Sequence, residues 1–476
     1  MGGRQVPDVV VIGGGLAGLR AGVALADQGI RVTLLESRSS LGGRARSFLD
    51  PATQEVVDNG QHLFLRGYRQ TLQFLERLGT SRHLIFQKRL RVTFVEPPGK
   101  VSRLECPALF SPFHFLVGLA RFPGLSIQDK LGLLRIYKTV SDTETVSDAE
   151  SVEEWLIRHK QSERSRRGFW HPLTIATLNE DPRKASALGL VTVLRTLALT
   201  GSRDACLGIP SVGLSSLYAQ AAKAVIEKAG GKVLLNSPVA QLSFDGDFLR
   251  EVRLVNGEVL APDGVVSAVP PSVLARILPA SAKEQDPALS ELGRWTTSPI
   301  LSVNLWLDRP VTEELFVGMI GTRFQWFFNK PAILAQAGIS ANYIALILSA
   351  AHEAIDQPNE ALVAMALADL KACFPAAQEV QLIRSQVVRE REATVSLECG
   401  SQRYRPGPAT RFFNFFLAGD WTKTGLPATI ESAVVSGERA AENLLKWLAS
   451  GRGSGYNRGL LPDGSRTLPQ STPSTG

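Results

Sequence analysis

The stretch from Asp8 to Glu36 constrains the fold of this chain more than any other. Asp8-Val9-Val10-Val11-Ile12 is a short, β-branched apolar run, the pattern of a buried parallel strand. Gly13-Gly14-Gly15-Leu16-Ala17-Gly18 follows at once and fits G-x-G-x-x-G. In that motif Gly13 permits a tight turn, Gly15 lets a pyrophosphate approach the backbone, and Gly18 lets the next helix pack closely on the strand. The spacing predicts a helix over 16–28, with Leu19, Val23 and Ala26 on one face, stopped by Gly29. A second strand over 30–35 ends at Glu36, 18 residues beyond Gly18. A carboxylate at that strand tip is placed to hold adenosine ribose hydroxyls. Strand, turn, helix, strand and terminal acid arrive in order, so the segment reads as a dinucleotide site. Its candidate cofactor residues are Gly13, Gly15, Leu16, Ala17, Gly18 and Glu36.

The acid disfavours a cofactor carrying a 2′-phosphate and leaves FAD and NAD. The next stretch separates these two. Leu41-Gly42-Gly43-Arg44 places a second glycine pair and a fixed cation beside the pyrophosphate position. That arrangement is typical of flavoproteins, and it adds Gly42, Gly43 and Arg44 to the cofactor residues.

At 476 residues the chain is long enough for two or three domains. Hydrophobic residues make up 44% and charged residues 20%, the balance of a globular protein. The net charge of +7 is modest for this length and is compatible with an anionic membrane surface. No interleaving of aromatic and basic residues points to nucleic acid. The four cysteines, Cys106, Cys206, Cys373 and Cys399, form no C-x-x-C pair. With no signal peptide pattern, reduced thiols in a cytoplasmic protein are expected. Pro331 to Ala351 is uncharged but interrupted by Gln336, Gly338, Ser340 and Asn342, so 342–349 reads as a buried strand rather than a membrane span.

Taken in order, the chain visits two domains in alternation. The expected parts of the nucleotide domain are 1–65, 205–271 and 386–449. The expected parts of a substrate domain are 66–204 and 272–385. Residues 450–476 are rich in Gly, Ser, Pro and Thr and read as a disordered tail. In the second nucleotide part, 207–214 reads as a loop and 216–229 as a helix stopped by Gly230-Gly231. A hairpin turns at Asp245-Gly246, with Val239 where a backbone could meet adenine.

Residues 106–127 hold Phe110, Phe113, Phe115 and Phe122 among leucines and valines. Pro107, Pro112, Pro123 and Gly124 prevent a single spanning helix. Arg103, Arg121, Lys130 and Arg135 flank or punctuate the run. It reads either as a wall of the core or as a lipid-facing segment at a tunnel mouth.

A second cofactor signature lies near the C-terminus. Leu417-Ala418-Gly419-Asp420-Trp421 is a strand ending in an acid, able to hold a ribityl hydroxyl. Gly425-Leu426-Pro427-Ala428-Thr429-Ile430-Glu431 is a loop opening a helix expected over 428–447. A helix N-terminus offers free amides and a positive dipole end, which favours the charge a flavin gains on reduction. Gly419, Asp420, Pro427, Ala428, Thr429 and Ile430 therefore join the cofactor residues.

With both signatures in one chain, residues 8–447 resemble the flavin amine oxidase and phytoene desaturase superfamily. Within it they are most similar to the squalene-associated FAD-dependent desaturases, the hydroxysqualene dehydroxylases of hopanoid synthesis. The specific likeness rests on Asp58-Asn59-Gly60-Gln61-His62-Leu63-Phe64-Leu65, Ala176-Thr177-Leu178-Asn179, Ile209-Pro210 with Gly213-Leu214, and Ala418 to Trp421 through Gly425 to Glu431. Arg66-Gly67 departs from the small residues usual after the first of these. The resemblance implies an α/β fold, a Rossmann-like FAD-binding domain interleaved with an α+β substrate-binding domain. It implies noncovalent FAD, with Gly60 and Gln61 beside it, and an apolar isoprenoid substrate.

The implied reaction removes the hydroxyl of hydroxysqualene to give squalene. It needs one proton donor, a dry apolar tunnel and a hydride from reduced flavin. The aromatic segments 110–122 and 295–326 are candidate tunnel linings. His62 is the first candidate acid because imidazole titrates near neutrality. Asp58, His171 and Glu180 are the others. A carotenoid desaturase or other flavin oxidase, which would take hydride, is an alternative the residues leave open. So is a non-catalytic prenyl-lipid carrier. Peripheral contact with the inner face of the cytoplasmic membrane and with upstream squalene-pathway enzymes is expected.

Overall fold

A computed structural model describes residues 6–142, 146–334 and 339–450 of the chain. Of the expected tail over 450–476, Ser450 is described as the C-cap of the last helix, and 451–476 lie outside the described residues. Two sheets organise the structure, and each is assembled from distant parts of the sequence.

The first sheet has five strands in the spatial order Lys232–Leu234, Arg31–Leu35, Asp8–Ile12, Gly264–Ser267 and Phe415–Leu417. All its pairings are parallel. Val9, Val11, Val32, Leu34, Val265 and Val266 are fully or almost fully buried, as strands covered on both faces require. Helix Leu16–Asp27 and helix Ile430–Ala449 lie against each other on this sheet. Their approach is close because a Cβ on Gly437 would sit 2.2 Å from the Ala17 carbonyl oxygen. Gly18 packs likewise, since a Cβ there would meet the Gly13 carbonyl oxygen at 1.9 Å. The C-terminal helix starts at Ile430, two residues later than expected, because Thr429 is its N-cap and accepts from the Ser432 amide at 3.2 Å.

The second sheet has seven strands in the order Leu382–Val395, Thr297–Leu307, Tyr343–Ser349, Trp326–Asn329, Phe316–Met319, Arg91–Glu96 and Lys100–Glu105. Its faces follow the two-residue period of a strand. Leu301, Val303 and Leu305 pack with helix Asn359–Cys373 in one core. On the other side, Phe94, Phe316 and Phe328 join a larger core that includes helices Phe113–Arg121, Val152–Arg158 and Ala187–Leu199.

Two expectations need correction. Residues 207–210 form a strand, Leu207–Pro210, not a loop; it pairs with Phe64–Leu65 on one side and Leu84–Phe86 on the other. The return to the nucleotide domain expected at residue 386 falls inside strand Leu382–Val395, which stays paired with Thr297–Leu307 as far as Val395. The expected strand over 342–349 is present as Tyr343–Ser349 and is buried throughout. No helix among the described residues is long and apolar enough to cross a membrane.

Candidate flavin and substrate site

The glycine turn sits at the C-terminal end of strand Asp8–Ile12. Gly13 has φ +107°, a conformation that disfavours any side chain. Glu36 stands at the tip of the neighbouring strand, and its Oε2 accepts the Gly14 amide at 2.7 Å. Its other oxygen accepts the Arg38 amide at 2.8 Å. Glu36 thus holds the turn in shape from the tip of its strand. Val239 lies close by in sequence, since Ser237 donates its amide to the Glu36 carbonyl at 2.8 Å.

The second glycine pair faces the first. Gly42 donates to the Gly14 carbonyl at 2.9 Å, and a Cβ on Gly43 would come within 3.0 Å of the Gly15 Cα. Helix Leu16–Asp27 opens at Gly15 without any side-chain cap. Its first amides therefore have no partner inside the helix, at the end where the two glycine segments meet. A pyrophosphate fits that donor set.

Arg44 leaves this cleft and meets the distant second signature. Its Nη2 lies 2.6 Å from Asp420 Oδ1, across 376 residues of sequence. Asp420 follows Gly419, whose φ is +136° and whose amide is taken by the Ser436 hydroxyl at 2.8 Å. Behind this loop lies Arg405, which the sequence did not single out. It is 5% exposed and donates to the carbonyls of Thr422 at 3.0 Å, Asp420 at 2.6 Å and Leu426 at 2.6 Å. Burial pulls its pKa down to about 10 against the carboxylates of Asp420 and Asp148. Arg405 shapes the whole 420–426 loop. Glu431, also buried, caps helix Arg69–Arg77 by accepting from the Gln70 and Thr71 amides at 3.0 and 2.9 Å.

The turn 58–62 stands between the two sheets. Asn59 ties it to the arginine segment, donating to the Arg44 carbonyl and accepting from the Arg46 amide, both at 2.9 Å. Asp58 is buried and only accepts: from Ser47 Oγ at 2.6 Å, the Leu214 amide at 3.1 Å and Lys330 Nζ at 2.8 Å. Lys330 also donates to Gln61 Oε1 at 2.7 Å. His62 places Nδ1 3.0 Å from the Gly60 carbonyl. A carbonyl can only accept, so Nδ1 carries hydrogen and Nε2 is the atom that gains or loses a proton. Burial pushes the His62 pKa below its ordinary 6.5, opposed by the Gly60 carbonyl and by the charges of Asp58 and Glu390.

His171 and Glu180 stand elsewhere. His171 Nε2 lies 2.7 Å from Glu153 Oε2, joining two helices of the large core. Glu180 is fully buried and accepts from the Asp181 amide at 2.8 Å, with Ser396 and His352 beside it. Among the described residues neither shares a hydrogen bond with the glycine turn, the 58–62 turn or the 419–430 segment. Asn179 ends helix His171–Leu178 in the left-handed conformation and bonds Ser298, Thr394 and Ala350, knitting that helix to the second sheet.

Lys330 carries no motif, yet its surroundings in the sequence mark it. It is the only Lys, Arg, Asp, Glu or His between Arg323 and His352. A lone cation in an apolar, aromatic stretch is costly unless something buried pairs with it.

The aromatic segment 106–127 divides between interior and surface. Phe115, Leu119 and Phe122 are buried, with Phe122 packed on Phe94 and Phe169. Leu109, Phe110, Phe113, Ile127 and Leu131 are exposed, Phe110 at 75% and Ile127 at 78%. Phe110 and Phe113 touch edge to face, 5.0 Å between ring centroids.

The sequence profile of the flavin containing amine oxidoreductases matches residues 16–445. A hydroxysqualene dehydroxylase of Rhodopseudomonas palustris is 31% identical over 93% of this chain and 99% of its own length. Another, from Sinorhizobium fredii, is 29% identical over 91% of this chain and 97% of its own. The structure of cyclohexylamine oxidase from Brevibacterium oxydans superposes with a TM-score of 0.70 at 17% identity, covering 94% of this chain and all of that one.

Proposed function

We propose, from the premise that this chain belongs to the flavin-containing amine oxidoreductase family, that it uses FAD to convert hydroxysqualene to squalene. The observation that carries the cofactor assignment is the contact of Arg44 with Asp420, which brings both flavin signatures to one cleft. The substrate assignment draws its support from the dehydroxylase relatives, which match nearly end to end.

FAD fits the residues present. The uncapped helix at Gly15 and the facing Gly43 would take the pyrophosphate, Glu36 the ribose, and Asp420 with the 427–430 segment the ribityl and ring. No cysteine or histidine lies in that segment, so attachment is noncovalent. Once reduced, the bound flavin supplies the hydride that becomes the new C–H bond.

The chain's own residues supply the rest. The C–O bond of the substrate breaks, and its oxygen leaves as water after taking a proton. His62 is the donor of that proton, through Nε2. Asp58 accepts all its hydrogen bonds and is engaged with Lys330, so it orients the turn instead. The buried aromatics on either side of Phe94 and Trp326 keep water from the cation formed on the substrate.

The exposed apolar residues Leu109, Phe110, Phe113, Ile127 and Leu131, with the exposed Arg121 and Arg135 in the same stretch of chain, form the membrane-facing surface through which an insoluble isoprenoid enters. Anaerobic turnover of hydroxysqualene by the reduced protein, with analysis of the product, tests the assignment.

A further inference from the structure

Lys330 stands at the start of the short helix Lys330–Ile333, directly after strand Trp326–Asn329. Its side chain is 1% exposed, and its ammonium lies between Asp58 Oδ2 at 2.8 Å and Gln61 Oε1 at 2.7 Å. The contact with Gln61 orders the far end of that amide. A carboxamide whose oxygen is held by a cation turns its NH2 away from it. Gln61 Nε2 is buried and has no acceptor among the described residues. A buried donor left unpaired is costly, because it has lost its water without gaining a partner. Such a donor, fixed in direction by a neighbouring ion pair, marks the place where an acceptor arrives. His62 follows Gln61 directly in the chain, on the same turn. The ammonium also polarises the amide and strengthens its N–H as a donor.

We propose that Lys330 is a positioning residue that fixes the Gln61 carboxamide so that its NH2 donates to the hydroxyl oxygen of the alcohol substrate, beside His62. This rests on the dehydroxylation reading above. It gives Lys330 a task distinct from holding the fold, because the oxygen is the one group that separates substrate from product. Squalene leaves the Gln61 donor unpaired and binds more weakly for that reason. The same contact holds the oxygen still while the proton is delivered.

The test is a binding measurement on oxidised, FAD-loaded protein, which cannot turn the substrate over. Hydroxysqualene and squalene are titrated in detergent while the flavin absorbance is followed. Wild-type protein binds hydroxysqualene about tenfold or more tightly than squalene, the worth of one well-made hydrogen bond. Lys330→Met and Gln61→Leu each remove that preference and leave squalene binding unchanged, and Lys330→Met also keeps its full FAD content. The double variant loses nothing further, because the two residues act as one unit. Lys330→Arg restores part of the preference. If Lys330→Met fails to fold with Asp58 stranded, Asp58→Asn/Lys330→Met removes both charges and takes its place in the series.

A Lys330→Met protein that keeps the preference would overturn the inference. So would one that weakens both ligands equally, which is the mark of a merely structural role, or one that changes FAD affinity instead. Wild-type protein with no response to either ligand would sink the dehydroxylation reading itself, and this inference with it.

Discussion

The guanidinium of Arg44 and the carboxylate of Asp420 meet at 2.6 Å although 376 residues separate them. Arg44 is partly exposed and Asp420 nearly buried, so the pair is largely withdrawn from solvent where the two signature segments meet. It fixes the distance between the glycine turns and the loop that Arg405 shapes. Charge-assisted hydrogen bonds are worth roughly 1.5–3 kcal/mol. Arg44→Ala is therefore expected to weaken FAD binding by about tenfold to hundredfold. Fluorescence titration of the apoprotein with FAD measures this, and an unchanged dissociation constant would remove the pair from the site.

Glu36 has two tasks, and the Glu36→Gln and Glu36→Ala variants separate them. The Ala variant loses the acceptor of the Gly14 amide together with the carboxylate proposed to hold the ribose. It is expected to lose about tenfold to hundredfold in FAD affinity. The Gln variant keeps one acceptor oxygen for Gly14 or the ribose and should lose less. Equal affinity of both variants and wild type would contradict the placement of Glu36.

Much of this cofactor half was legible in the sequence because its signals are local. Strand, glycine turn, helix and acid follow within thirty residues of one another, as do Gly419 to Ile430. The strand Leu382–Val395 was not legible. Arg384, Arg389, Glu390, Arg391 and Glu392 give it the look of a solvated segment, and its half-exposed pattern hides any alternation. The strand Leu207–Pro210 was hidden by Gly208 and Pro210, which read as a turn. Lys330 and Asp58 are 272 residues apart, and no linear pattern announces that pairing. The roles of Arg405 and Glu431 depend on backbone carbonyls and amides, which carry no sequence signature.

His62 sets a pH dependence whose sign follows from its burial. Its folded pKa lies below the ordinary 6.5, so the imidazolium is scarce at neutral pH. As the acid, it makes kcat/KM rise as pH falls through neutrality and level off below its folded pKa. His62→Gln should lose that limb and about 10²–10⁴-fold in rate, while keeping its FAD. For stability the sign is opposite. The unfolded chain binds the proton more readily, so stability is fully present above pH 6.5 and declines as pH falls below it. A pH profile unchanged in the variant would move the acid away from His62.

Membrane association should depend on the exposed aromatic pair. Burying a Phe side chain is worth about 1.5–3 kcal/mol. Phe110→Asp/Phe113→Asp is expected to reduce co-flotation with anionic vesicles by about tenfold or more, with the folded spectrum of bound flavin unchanged. Added salt should weaken binding of the wild type through Arg121 and Arg135. Equal flotation of wild type and variant would assign the patch to another role.

The most direct measurement concerns the direction of electron flow. Photoreduced protein is mixed anaerobically with hydroxysqualene, and the flavin spectrum and the extracted lipid are followed together. The account predicts that squalene forms in step with reoxidation of the flavin, one equivalent of each. Reduced protein that stays reduced and yields no squalene, while oxidised protein dehydrogenates phytoene, would contradict it.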